Sequence, residues 1–336
     1  MLLAPARRRA WSGAAWGAVL AAAGACAALI WAFGHRHLGG FDHGALVELC
    51  WRVAGGQRPV TDFPSTLPVG FVLACGYAFR LFGVSWSSVV ALQAVFAAVT
   101  LVWSYALLLR ITRAPLRSLL IALAIQASGD VVTSYWWYNP ATTTLGAVFF
   151  LSAAAFWREP RARPLLASYL AALVFLAGMK PNVAGVLVLG VSALLFLSPE
   201  HRARVVALSA AGLALFSGWL FAEGLRLPDV IRGYLSISGR GFSFDQFLQD
   251  LSRPERAAAL LLLAASLLPW LARLRRSDGD ARGRRLALAA VLAGLYGFVT
   301  NGEHKLVDVP LLLLALWWAG ECDAPPEPSR DPGAAG

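Results

Sequence analysis

Three of the chain's five histidines, His35, His37 and His43, cluster around one carboxylate, Asp42. Two chemistries suit that grouping. A carboxylate held beside a bound hydroxyl accepts its proton and turns it into a nucleophile. Alternatively, His35, His37, Asp42 and His43 together offer the nitrogen and oxygen donors of a divalent metal site. The plain readings are an N-cap for Asp42 and a loop whose imidazoles meet water; capping and catalysis do not exclude each other. Further along stand His43, Arg58, Asp62, Arg80, Lys180, Asn182, Arg240, Glu303 and Lys305, the groups that suit a charged substrate. Fixed cations stabilise a departing phosphate, and a low-dielectric site strengthens them. Of the 29 basic residues only Lys180 and Lys305 are lysines, and each falls near an asparagine. Their plain reading is a snorkelling side chain at a helix end. Asp62 precedes Phe63-Pro64 and reads first as a turn residue. The Gly239-Arg240-Gly241 turn reads as a mobile substrate loop or as an ordinary flexible turn.

The elements that must position these groups are membrane spans. The chain of 336 residues is 58% hydrophobic and 14% charged, with a mean hydropathy of +0.62. That is too little charge to cover a water-soluble surface. The apolar residues come in continuous blocks rich in Leu, Ala and Val, so they read as helices and not as alternating barrel strands. About ten transmembrane helices are expected, over 10–33, 86–109, 118–128, 140–157, 165–179, 183–197, 205–221, 257–271, 286–299 and 309–319. The first follows Arg7-Arg8-Arg9 and is too long for a signal-peptide core, so it reads as an uncleaved span. The whole net charge of +10 falls on the short connections of one side, and the long connections balance. This is the positive-inside pattern, which puts both termini in the cytoplasm and accounts for a basic chain without nucleic acid. The long connections, 34–85 and 223–256, are then extracytoplasmic. The spans form one domain, 1–320, and the Pro-rich acidic tail, 321–336, reads as disordered and cytoplasmic. The Tyr135-Trp136-Trp137-Tyr138 run has the composition of an interfacial belt. No internal repeat of the transporter kind is visible.

Within 34–85, Leu46, Leu49, Cys50 and Val53 fall on one helical face, with Glu48 and Arg52 placed to pair at i,i+4 and Gly55-Gly56 as the stop. A second apolar segment, 67–82, is marginal for a span, contains Arg80 and reads as lying along the outer interface. Four cysteines, Cys26, Cys50, Cys75 and Cys322, show neither metal spacing nor a disulfide framework. A Cys50–Cys75 bridge is the one pairing left open.

The order of these pieces resembles a family. Gly40-Phe41-Asp42 follows the first helix. Leu46, Leu49 and Trp51-Arg52 come next, then Gly55-Gly56-Gln57-Arg58-Pro59-Val60-Thr61-Asp62-Phe63, Pro68 and Phe79-Arg80-Leu81-Phe82-Gly83. This looks like the first extracytoplasmic loop of the GT-C type integral membrane glycosyltransferases, in the bacterial branch with the lipid A aminoarabinose transferases and the protein O-mannosyltransferases. The resemblance is clearest from Gly39 to Arg110. It is traceable at Tyr138-Asn139-Pro140, Lys180-Pro181-Asn182 and Thr300-Asn301-Gly302-Glu303. It is to a short form, without the soluble C-terminal domain many members carry. The resemblance implies an all-α polytopic protein of the bacterial cytoplasmic (inner) membrane that takes a sugar from a polyprenyl-phosphate donor at the outer face. The acceptor would be a hydroxyl of a lipid, glycan or protein. It also implies that Asp42 is the general base. The sequence departs from the family at His43, where many members have Glu, and at Leu67, where many have Lys or His before the proline. No cofactor is expected, and a divalent metal stays open. Two other classes remain: a non-catalytic lipid-linked-sugar carrier, flippase or accessory protein, and a secondary transporter, which the scarcity of acids within the spans places last.

Overall fold

A computed structural model describes residues 13–36, 41–128, 135–159, 161–181, 184–185, 188 and 202–237. The predicted spans over 257–271, 286–299 and 309–319, most of 183–197, and the tail 321–336 lie outside the described residues. The described residues form helices and connecting turns: α1 (Gly13–Gly34), α2 (Phe41–Ala54), α3 (Val69–Phe82), α4 (Trp86–Thr112), α5 (Pro115–Ser128), α6 (Tyr138–Arg158), α7 (Arg163–Met179), α8 (Arg202–Ala222) and α9 (Leu227–Ile237).

Local chemistry sets several of these boundaries. Ser85 caps α4 by accepting the Ser88 backbone N–H on its hydroxyl at 3.2 Å. Arg113 closes α4 in the left-handed region, and Pro115 opens α5. Pro164 sits in the first turn of α7, where its missing N–H costs nothing. Gly83, at a φ of 86°, stops α3.

Helix α4 is the hub. α1, α3, α5 and α6 all pack on it, α6 packs on α7, and α7 on α8. Residues 140–155 of α6 are buried without interruption. The helix is enclosed on all sides, as an apolar helix without an amphipathic stripe requires. On α1 the buried side chains Val19, Ala23, Cys26 and Ile30 form a stripe at helical spacing, while Leu20, Leu29 and Trp31 on the other faces are exposed. Val95, Val99, Leu120, Phe175, Leu213 and Leu215 face outward on the other helices in the same way. Bands of bare apolar side chains around a packed helical core are what lipid, not water, tolerates. α1 and α4 are each long and apolar enough to cross a bilayer, and Val206–Ala222 with Leu227–Tyr234 qualifies as a pair bent by 95° at its break. The molecule is a polytopic α-helical membrane protein. The expected count of about ten spans extends into residues that are not described.

Small polar groups join the helices inside. Trp103 of α4 donates its indole N–H to the Ser168 hydroxyl of α7 at 2.7 Å, and Ser168 also meets Ser152 of α6 at 2.7 Å. Gln126 of α5 donates to Thr100 of α4 at 2.8 Å. With little hydrophobic drive between helices in lipid, such bonds and close small-residue contacts hold the bundle together.

The two ends of the bundle differ. At one end the close of α4 meets the close of α6 through the Arg110–Glu159 ion pair at 3.3 Å, and Arg113, Arg117, Arg161, Arg163 and Arg204 are exposed on the neighbouring connections and helix starts. At the other end the start of α6 meets the close of α7. There too Trp86, at the start of α4, meets Tyr135, just before α6, with ring centroids 5.8 Å apart. α3 crosses this second end. It begins at the last turn of α7, where Gly70 and Gly178 touch, and leaves through Gly83 into the start of α4. It therefore lies across this end of the bundle, and more deeply than a helix resting on an interface: Val69 to Leu73, Cys75, Gly76, Ala78 and Phe79 are buried, and Leu81 and Phe82 are left exposed.

Candidate functional site at the crossed end of the bundle

The end crossed by α3 gathers most of the described residues singled out in the sequence. α2 begins at Phe41, so Asp42 lies in its first turn; the Asp42 side chain is outside the described residues, as are His37, Asn182, Arg240, Glu303 and Lys305. On the expected amphipathic face Leu46, Cys50 and Val53 are buried and Leu49 is half-buried, and Arg52 pairs with Glu48 at 2.6 Å. Gly56, at a φ of 89°, turns the chain out of the helix.

His43 sits between aromatic rings. Its imidazole lies 4.9 Å from the Trp86 ring and 4.7 Å from that of Tyr135, centroid to centroid. Trp86 is itself fixed by donating its indole N–H to the Gly34 carbonyl at 2.9 Å. His35 donates its Nδ1–H to the Trp31 carbonyl at 2.8 Å, which leaves Nε2 to accept from the Ser87 hydroxyl at 3.1 Å. Among the described residues no group of three His, Cys, Asp or Glu side chains is placed to hold a metal. His37 and the Asp42 carboxylate, which the metal reading needs, lie outside them.

Asp62 holds a turn. Its Oδ2 accepts the Arg58 backbone N–H at 2.8 Å and the Arg58 Nε–H at 3.2 Å, and its Oδ1 accepts from Nη2 at 3.1 Å. These bonds to Arg58 hold the Asp62 carboxyl below its ordinary value, and the carboxylate in turn raises Arg58. Because Asp62 is lowered, the turn is fully held at neutral pH and loosens only as pH falls through the depressed value. Val60 at the tip has a φ of 72°, a strained value for a β-branched residue. It presses on Gly233 of α9, where a Cβ would meet the Val60 side chain at 2.7 Å. Arg58 lies likewise over Gly224, in the bend between α8 and α9.

Arg80 donates from Nη2 to the Val53 carbonyl at 2.7 Å and from Nε to the Ala54 carbonyl at 3.4 Å. It thus adds donors to the carbonyls at the close of α2, of which that of Val53 also accepts the Gly56 backbone N–H at 3.0 Å. Lys180, just past α7, donates to the Asn139 side-chain oxygen at 3.1 Å and lies 5.8 Å from the Tyr138 ring centre. It ties the close of α7 to the start of α6. Burial, with the Glu223 carboxylate adding, pushes the Tyr77 phenol up to about 12, so it stays neutral at physiological pH.

The reading of Tyr135 to Tyr138 as an interfacial belt needs correction at Trp136. Its side chain is buried and stacked on Phe71, with centroids 5.3 Å apart and planes at 9°, and it meets Phe96 edge-on. α3 covers it through Phe71. Sequence reasoning also passed over Trp86, which contacts His43, and gave Asn139, which receives Lys180, no role of its own. Neither partner is near in sequence. The Arg58–Asp62 pair, by contrast, stands at i,i+4 like the expected Glu48–Arg52 pair and carried a local signal.

Neither a protein-family model nor a curated protein matches the chain. The fold nevertheless defines a class: the chain shares its polytopic helical membrane fold with a solved membrane-protein structure. A solved structure that it resembles is that of ArnT from Cupriavidus metallidurans bound to undecaprenyl phosphate. The likeness covers 94% of this chain with a TM-score of 0.57 at 16% identity, and this chain spans 61% of the length of that one.

Proposed function

We propose that the chain is a membrane glycosyltransferase that moves a sugar from a polyprenyl-phosphate donor to an acceptor hydroxyl at the extracytoplasmic face. The observation that carries the reading is the fold, shared over 94% of the chain with a protein crystallised with undecaprenyl phosphate. The gathering of α2, Arg58, Arg80 and Lys180 at one end supports it. In the proposed reaction Asp42 accepts the proton of the acceptor hydroxyl. The hydroxyl oxygen bonds to the anomeric carbon, the bond from that carbon to the phosphate oxygen breaks, and the lipid phosphate leaves with the electron pair. Cations at this end offset its charge; Lys180 and Arg58 are the described groups best suited, and Arg240 and Lys305 belong to the same proposal, with His43, Asp62, Arg80, Asn182 and Glu303 as further substrate contacts.

The test is sugar transfer by purified protein in nanodiscs, supplied with a panel of polyprenyl-phosphate sugars, with and without EDTA. Transfer is expected with at least one donor, and Asp42→Asn should insert normally and lose it by at least two orders of magnitude. Normal transfer by that variant removes Asp42 from the base role. A second reading, a lipid-linked-sugar carrier without catalysis, is favoured by one feature: the neighbour of Asp42 is an imidazole packed against Trp86 and Tyr135, not a second carboxylate. Donor binding without transfer for every sugar would select it.

A further inference from the structure

α2 and α3 cross at close range. A Cβ on Gly76 would stand 3.3 Å from the Cys50 carbonyl oxygen and would collide with the Val53 side chain. Only a glycine at that position lets the two backbones approach so nearly. Cys75, next to Gly76, and Cys50, on the buried face of α2, are both fully buried, both free, and their side chains interact directly. The crossing thus brings the two backbones close together and the two thiols into contact, the arrangement from which a disulfide forms. Thiols stay reduced in a cytoplasm and are oxidised outside it, so the face on which this pair lies decides its state.

We propose that Cys50 and Cys75 are joined by a disulfide that fastens α2, and with it the first turn carrying Asp42, to α3. The proposal rests on the extracytoplasmic reading of the 34–85 segment and on no assumption about sugar transfer. The two thiols give up two protons and two electrons as the S–S bond forms. The electrons reduce the disulfide of an extracytoplasmic dithiol–disulfide oxidant to a dithiol, through a mixed disulfide. Since neither cysteine is exposed in the packed structure, the exchange precedes the docking of α2 on α3. Once made, the bond is shielded from reductants.

The experiment is peptide mapping of the full chain, purified from membranes with free thiols trapped by iodoacetamide in denaturant, before and after reduction. The expected result is a linked peptide containing Cys50 and Cys75, neither of them alkylated until reduction, with Cys26 alkylated throughout as the labelling control. Alkylation of both Cys50 and Cys75 without reduction overturns the proposal. In parallel, Thr61→Cys, at an exposed turn position, is treated in intact cells with a membrane-impermeant maleimide. Labelling together with free Cys50 and Cys75 sinks the disulfide and leaves the topology standing. Absence of labelling sinks the topology, and the disulfide with it.

Discussion

A single missing carbon holds α3 against α7. A Cβ on Gly70 would stand 2.6 Å from the Gly178 Cα and 2.8 Å from its carbonyl carbon and oxygen. All of those atoms are backbone, so no rotamer change relieves the clash, and the helices must part. Gly218 of α8 is the opposite case, with open space where a Cβ would go. Gly70→Ala should therefore destabilise by about 1–3 kcal/mol or more, the usual cost of overpacking. Gly218→Ala should be neutral or gain up to about 1 kcal/mol, because alanine is the better helix former. Thermal unfolding of the two purified variants in detergent checks both: a lowered midpoint is expected for the first and an unchanged or raised one for the second. Nothing in the sequence separates these glycines. Both sit in apolar helical blocks, and what distinguishes them is a neighbour more than a hundred positions away or none at all.

At the scale of elements, what was legible is what a helix decides alone. The face of Leu46, Cys50 and Val53, the Glu48–Arg52 pair and the glycine stop at the end of α2 all follow from helical spacing, and the structure has them. Arg80 shows the limit. Its charge in an apolar segment suggested a phosphate contact; nothing in the sequence signalled the bonds its Nε and Nη2 also make to the carbonyls of Ala54 and Val53. No local pattern announces a cap delivered from another helix. Arg80→Ala should leave the last turn of α2 open to solvent, at a cost of roughly 0.3–1 kcal/mol, the usual size of a favourable charge at an exposed helix C-terminus. Hydrogen exchange should quicken at the amides of Gly55, Gly56 and Gln57, whose bonds to Trp51, Val53 and Arg52 close that turn, and remain unchanged in α4. Arg80→Lys should restore part of the protection. If protection is unchanged in the alanine variant, the guanidinium is not what holds the turn. Trp136 teaches the same lesson: an aromatic run before a span has belt composition, and only the path of α3 over it puts that ring inside.

At the scale of the whole molecule, the charge pattern of the sequence predicts a basic cytoplasmic face and a balanced outer one, a prediction that needs only a count along the chain. The described arginines at the Arg110–Glu159 end, Arg110, Arg113, Arg117, Arg161, Arg163 and Arg204, are exposed, while at the other end Asp62 faces Arg58 and Asp229 faces Arg232 at 3.2 Å. Cationic short connections resist transfer across the membrane during insertion; long ones cross largely regardless of charge. The basic end should therefore stay in the cytoplasm, and α3, which crosses the opposite end, should lie outside. Fusions to a reporter enzyme active only outside the membrane, and to one fluorescent only within the cytoplasm, read this directly. Joined after Gly83, the first should be active and the second dark; joined after Arg161, the reverse. Replacing Arg113 and Arg117 with glutamine should weaken the bias in the shorter fusions ending soon after α5, where few other cations remain to hold the orientation. The same pattern for both junctions would mean that an even number of the helices α4, α5 and α6 cross between them, and the packing order of these three helices across the membrane would have to be redrawn.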